Sequence, residues 1–166
     1  DIKLRSFTRG CSNDVKNALL DLKKEGELKG VILDLRSNPG GLLNESVNIV
    51  NLFVEKGQEV VSTRGKIESW DKIYKASKSP IDLSTPIIVL INQSSASASE
   101  IVAGAIQDLD RGVVIGQRSY GKGLVQQTKK LSYNSQLKLT VAKYYIPSGR
   151  CIQALDLSLI HISEPT

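Results

Sequence analysis

Residues 86–106, PIIVLINQSSASASEIVAGAI, decide how the rest of the chain is read. Pro86 opens a short, continuous apolar run, Ile87 to Ile91, of the kind expected of a strand buried on both faces. Ser94, Ser95, Ser97 and Ser99 follow, and then Ile101, Val102, Ala105 and Ile106 recur at helical spacing. The unit is therefore a strand, a loop of small residues and a helix.

Two more apolar runs end in the same way. GVILDLR, with Val31, Ile32, Leu33 and Leu35, runs into SNPGG, and GVVIG runs into QRSYGKG. Ahead of the first of these runs, Ser12 or Asn13 caps a helix with an apolar stripe of Val15, Ala18, Leu19 and Leu22 that ends near Gly26. A second amphipathic helix covers Leu42 to Phe53 and stops before Gly57. Ile2–Phe7 and Gln58–Thr63 read as strands, and Leu124–Lys130 and Gln136–Ile146 as two strands joined through SYNS. The Lys- and Ser-rich stretch up to Pro80 is irregular. Alternating strands and helices, with no repeat or low-complexity linker, predict an α/β domain with a largely parallel sheet. If the strands around Leu33, Val89 and Val114 are parallel neighbours, their three loops meet in one crevice at the carboxyl ends.

Composition narrows the function classes. A chain of 166 residues, 40% apolar and 23% charged, suits one globular domain. No apolar run is long enough to cross a membrane. The net charge of +5 comes from scattered Lys and Arg with few aromatics, which argues against a nucleic-acid partner; Arg64 to Lys78 reads as solvated surface. Cys11 and Cys151 have no metal-ligand spacing, so neither a metal nor a cofactor is expected. The chain has no methionine and is expected to be a fragment, so the missing leader says nothing about location. Residues 157–166 break every earlier pattern and resemble translated sequencing-adapter DNA; the native core is expected to be residues 1–156.

A serine at the start of a helix is first of all a cap. At the end of a buried strand it is also placed so that backbone N–H groups face a bound carbonyl. The only histidine, His161, lies in the suspect tail, which disfavours a Ser-His-Asp triad and favours a Ser-Lys pair. A lysine titrates near ~10.4 in water, and burial must bring it to about 7–8 to make a base, a shift worth ~4 kcal/mol. Lys122, between Gly121 and Gly123, has the most suitable neighbours. The same stretch, GQRSYGK, matches seven positions of a phosphate-binding loop. Gly123 stands where Ser or Thr should hold magnesium, however, and LVQQTKKL reads as a strand rather than a helix. The glycines of NPGG can let a backbone N–H approach a reacting carbonyl. Asp34, inside a strand, and Glu100, explained by the helix dipole, make no glycosidase pair.

LDLRSNPGGLL, SASASEIVAGAIQD, VIGQRSYGKGLVQ and AKYYIPSGR together resemble, in order and spacing, the C-terminal processing peptidases, or tail-specific proteases, over roughly Ile2 to Asp156. The resemblance implies a fold like that of the Clp protease and crotonase superfamily, with a mixed, largely parallel sheet and flanking helices. It implies Ser97 as nucleophile, Lys122 as general base and Gln126 as the residue orienting that lysine. The oxyanion hole would use the N–H of Ala98 and one from Gly40–Gly41. It further implies protein substrates with accessible C-terminal tails, an upstream PDZ domain in the full chain, and a parent exported to the periplasm or cell envelope. Asn92-Gln93-Ser94 and Ser119-Tyr120 depart from the usual motif. A silent scaffold of the same fold and a crotonase-type acyl-CoA enzyme are the alternatives.

Overall fold

The computed structural model describes residues 1–155; the tail from 157 to 166, with His161, lies outside the described residues. The elements are β1 (Ile2–Lys3), α1 (Cys11–Glu25), β2 (Val31–Asp34), α2 (Leu43–Val50), β3 (Glu59–Gly65), β4 (Lys72–Lys75), β5 (Ile87–Ile91), α3 (Ala98–Asp108), β6 (Val113–Gly116), β7 (Leu124–Lys130) and β8 (Gln136–Tyr145). β1, β2, β5 and β6 form a parallel sheet in that order, and β4, β3, β8 and β7 form a separate antiparallel one. Helix α3 touches β5 and β6 of the first sheet and β3 of the second. Its Ile101, Val102, Ala105 and Ile106 are all buried, so Ile106→Ala would cost about 2–5 kcal/mol.

Register explains which side chains reach the core. Ile2, Leu33, Val89 and Val114 lie in one row across the parallel sheet. Ile32, Ile88 and Val113 form the adjacent row and point the opposite way, because side chains alternate along a strand. That second face is open: Val113 is 59% and Ile115 49% exposed. The expectation that these strands are buried on both faces is thus corrected, since an apolar run does not reveal how many layers cover it.

Other boundaries shift for local reasons. The β1 ladder is short, and beyond it Phe7 makes only an isolated parallel bridge with Gly41, outside the sheet strands. Helix α1 starts at Cys11, ahead of both predicted caps, with Gly10 left-handed (φ 89°) at its N-cap. The N–H groups of Gly10 and Ser12 donate to the Glu45 carboxylate of α2, each at 2.9 Å. The cap is supplied from another helix, where no local spacing reveals it. Burial pushes the Glu45 carboxyl up, but the contacts with Ser12 and Gly10 outweigh it and hold the group below its ordinary range. In the stretch read as irregular, Lys72–Lys75 pairs along β3.

At the far end of α3, Arg111 donates to the carbonyls of Phe53 (2.7 Å), Thr85 (2.8 Å) and Asp82 (3.2 Å). The buried Asp82 carboxylate receives Lys23 at 2.7 Å and the Thr85 hydroxyl at 2.6 Å. Burial raises the Asp82 carboxyl, yet Lys23, Thr85 and Ser84 dominate and leave it far below the ordinary carboxylate range. Folding therefore binds this proton more weakly than the unfolded chain does. The stabilisation is present above about pH 4 and is lost as pH falls below it. Asp82→Asn should cost about 2–3 kcal/mol at pH 7 and make denaturant midpoints between pH 5 and 3 less pH-dependent than in the unaltered chain, readable by urea titration.

Candidate active site

Strands β2, β5 and β6 are parallel neighbours, so the loops that leave their carboxyl ends meet as predicted. The Ser37 N–H donates to Asn92 Oδ1 (2.8 Å), the Ala96 N–H to the Asn38 carbonyl (3.0 Å) and the Tyr120 N–H to the Ser95 carbonyl (3.0 Å). Asn38, the first residue of the NPGG turn, is fully buried and acts as a hub. Its amide donates to the Leu4 carbonyl and its Oδ1 accepts the Gly40 N–H, both at 2.9 Å.

The four serines separate by what their hydroxyls do. Ser95 donates to the Leu35 carbonyl at 2.8 Å and Ser99 to the Asn38 carbonyl at 2.9 Å, both fully buried. Ser94 is exposed on the loop. Ser97, half-buried, is the N-cap of α3 with φ 56° and ψ −111°. A side-chain-bearing residue there is strained by about 1–3 kcal/mol, and such a turn between strand and helix thrusts a hydroxyl outward.

Gly40 and Gly41 have different parts. The Gly40 N–H is consumed by Asn38, whereas the N–H groups of Gly41 and Ala98 find no protein acceptor among the described residues. Gly40 instead supplies space. A Cβ there would lie 2.6 Å from the Ala96 carbonyl oxygen, 2.8 Å from Ser97 Cβ and 2.9 Å from the Ala98 nitrogen, and its φ is +96°. Gly40→Ala should therefore push the two loops apart and cost about 1–3 kcal/mol in a urea titration, while far-UV circular dichroism stays that of a folded chain.

Glu100 is the residue whose role was missed. Its buried carboxylate accepts four bonds: from the N–H of Ser97 (2.7 Å), the hydroxyl of Ser119 (2.7 Å), and the N–H groups of Gly121 (2.6 Å) and Lys122 (2.9 Å). The helix dipole alone does not account for it. The Ser97-x-x-Glu100 spacing of a capping box was the available sequence signal. Asp34, by contrast, is held at about 2 chiefly by its paired bonds with the Arg36 guanidinium, both 2.9 Å, and has no part in the site. Glu100→Gln keeps the volume but turns an amide toward donors. It should cost about 2–4 kcal/mol of stability by thermal unfolding.

Lys122 and Gln126 line one groove of about 460 Å³ together with Pro39, Ala96, Tyr120 and Leu124. Both are exposed, and the Lys122 amine has no hydrogen-bond or ion-pair partner among the described residues. The expectation of a lysine stripped of water is not met in this conformation. Its backbone is nevertheless fixed, because the Gly123 N–H donates to Gln153 Oε1 (3.0 Å) and the Gly121 carbonyl accepts the Ala154 N–H (2.9 Å). A bulge between Val125 and Gln126 lies where β7 leaves this loop.

A strained helix-capping serine between a glycine turn and a lysine loop, at the carboxyl edge of a parallel sheet, defines an α/β core of the Clp protease-like class. The sequence matches Peptidase family S41 over residues 1–158, and the chain belongs to that family. It is 44% identical over 160 residues to a carboxy-terminal-processing protease of Bartonella bacilliformis, a match covering 95% of this chain and 37% of that one. It is 37% identical over 157 residues to the chloroplastic C-terminal processing peptidase of Tetradesmus obliquus, covering 95% and 33%. The solved photosystem II D1 C-terminal processing protease superposes with a TM-score of 0.83 at 38% identity, covering 91% of this chain and 38% of that chain. The chain thus spans about a third of the length of the curated relatives it matches.

Proposed function

We propose that this chain is the catalytic core of a Ser-Lys endopeptidase that cleaves in the C-terminal regions of protein substrates through an acyl-enzyme. The observation that carries the reading is the strained Ser97, with Gly40 packed against it, the N–H groups of Ala98 and Gly41 without an acceptor among the described residues, and the lysine loop pinned to it through Glu100. Lys122, as the free amine, takes the Ser97 proton while Oγ attacks the peptide carbonyl. The oxyanion forms against Ala98 and Gly41. The lysine then returns its proton to the leaving amine, and water, activated by the same lysine, releases the acyl group. Gln126, in the same groove, orients the amine. A peptide lying over Pro39, Ala96, Tyr120 and Leu124 covers Lys122 and removes the water that favours its charged form. A PDZ domain in the full-length parent presents substrate tails, and the parent works outside the cytoplasm.

The exposure of Lys122 is the observation that favours the rival reading, a silent scaffold. A peptidyl phosphonate that fills the groove and a small fluorophosphonate that does not will separate the two. The endopeptidase reading expects Ser97 to label at least tenfold faster with the peptidyl probe, and labelling to be abolished in Ser97→Ala and reduced at least a hundredfold in Lys122→Ala. Equal, Lys122-independent rates, or none, establish the scaffold.

A further inference from the structure

The loop from Gly116 to Lys122 is a partition between two spaces. Tyr120, Gly121 and Lys122 face the groove, while Gly116, Gln117, Arg118 and Ser119 face a second cavity of about 360 Å³ that shares no lining residue with the first. Its floor is aliphatic, formed by Ile91, Ala103, Val114, Ile146 and Ile152. Its polar margin carries two arginines. Arg150 is held by Gln107 (2.9 Å) and Asp108 (3.4 Å), whereas the exposed Arg118 has no ion-pair partner among the described residues. One wall is the Glu100 carboxylate, which keeps its charge but has its oxygens taken up by four donors of the fold, and beside it is Ser119, bonded to it at 2.7 Å.

An aliphatic floor beside an unpaired guanidinium suits an apolar side chain with a carboxylate attached. A bare phosphate would leave the floor empty, and a neutral apolar molecule would leave Arg118 unused. We propose that this cavity is a second binding site, which takes the C-terminal residue of a peptide, its aliphatic side chain on Ile91, Val114 and Ile146 and its free carboxylate on Arg118. Through Arg118 and Ser119 the occupant holds the loop that carries Lys122, so occupancy steadies the amine opposite Ser97. The binding half stands on the cavity alone; the effect on Ser97 rests on the peptidase reading.

Cys151 lines the cavity and is half-buried. Cys11, the only other cysteine, is buried, and burial together with the Glu45 charge pushes its thiol up to about 11, so it is nearly silent toward alkylation at neutral pH. Iodoacetamide therefore reports on the cavity. In the Ser97→Ala chain, N-acetyl-Ala-Ala-Leu with a free carboxylate at millimolar concentration should slow Cys151 alkylation at least fivefold. Its C-terminal amide should not, and Arg118→Gln should remove the protection. Equal protection by acid and amide, no protection, or protection that survives Arg118→Gln overturns the site. Protection by a carrier protein ending in the same tripeptide assigns the ligand to uncut tails; protection by the free tripeptide alone assigns it to released product. In the unaltered chain, the acid should raise fluorophosphonate labelling of Ser97 at least threefold. Protection of Cys151 with unchanged labelling overturns the coupling but not the site, and absence of labelling under every condition counts against the peptidase reading instead.

Discussion

The Glu100 carboxylate holds the site together. It is buried at the first turn of α3 and is satisfied by donors from two loops that are separate in sequence, the serine turn and the stretch from Ser119 to Lys122. A buried carboxylate is tolerable only when its oxygens are fully bonded, so neither loop can leave without stranding a charge. The two loops therefore behave as one body. The same constraint lets Ser97 persist in an unfavourable backbone conformation, since its N–H is drawn to Glu100 on one side while Asn38 anchors Ala96 and Ser99 around it.

Helix α3 transmits this constraint to the body of the protein. Beyond its carboxyl end, Arg111 gathers three carbonyls, and Asp108 accepts the Ser148 N–H at 3.0 Å. Along its length, Ile101, Val102 and Ile106 are buried in the core. Gly104 lets the helix approach Ile146 more closely than a side chain would allow. A rod fixed at both ends and wedged between two sheets can carry a strained cap at its head, because relaxing the cap would require moving the core.

What was legible in the sequence follows from what is local. The run from Pro86 to Ile106 announced strand, loop and helix, and matching runs at Val31 and Val113 announced parallel neighbours, so the convergence of three loops could be read before any coordinates. The division of roles among Ser94, Ser95, Ser97 and Ser99 could not, because it depends on which hydroxyl meets the carbonyls of Leu35 and Asn38 from another strand. The cap of α1 by Glu45 and the hub at Asn38 were invisible for the same reason. Glu100 lay between these cases: the capping-box spacing was present, but its bonds to Ser119, Gly121 and Lys122 arise only on folding. The open face of the parallel sheet was misread because period and composition report the apolarity of a strand, not its cover.

The two halves of the proposed dyad differ in how far the fold prepares them. The backbone of Ser97 is fixed, while the amine of Lys122 stands in an open groove. A lysine kept permanently dry and neutral at pH 7 would cost the fold ~4 kcal/mol, a large share of the 5–15 kcal/mol that stabilises a typical domain. If the substrate covers the amine instead, that cost is drawn from binding and arises only when a chain fills the groove. Binding free energy realised on the way to the transition state raises turnover rather than merely tightening the ground state. On that proposal a small ester or a poorly fitting tail leaves Lys122 exposed to water, and selectivity and catalysis share one physical origin. Under the proposed chemistry, an exposed lysine on a loop tied through Glu100 to a strained serine is the resting form of a site that its own substrate completes.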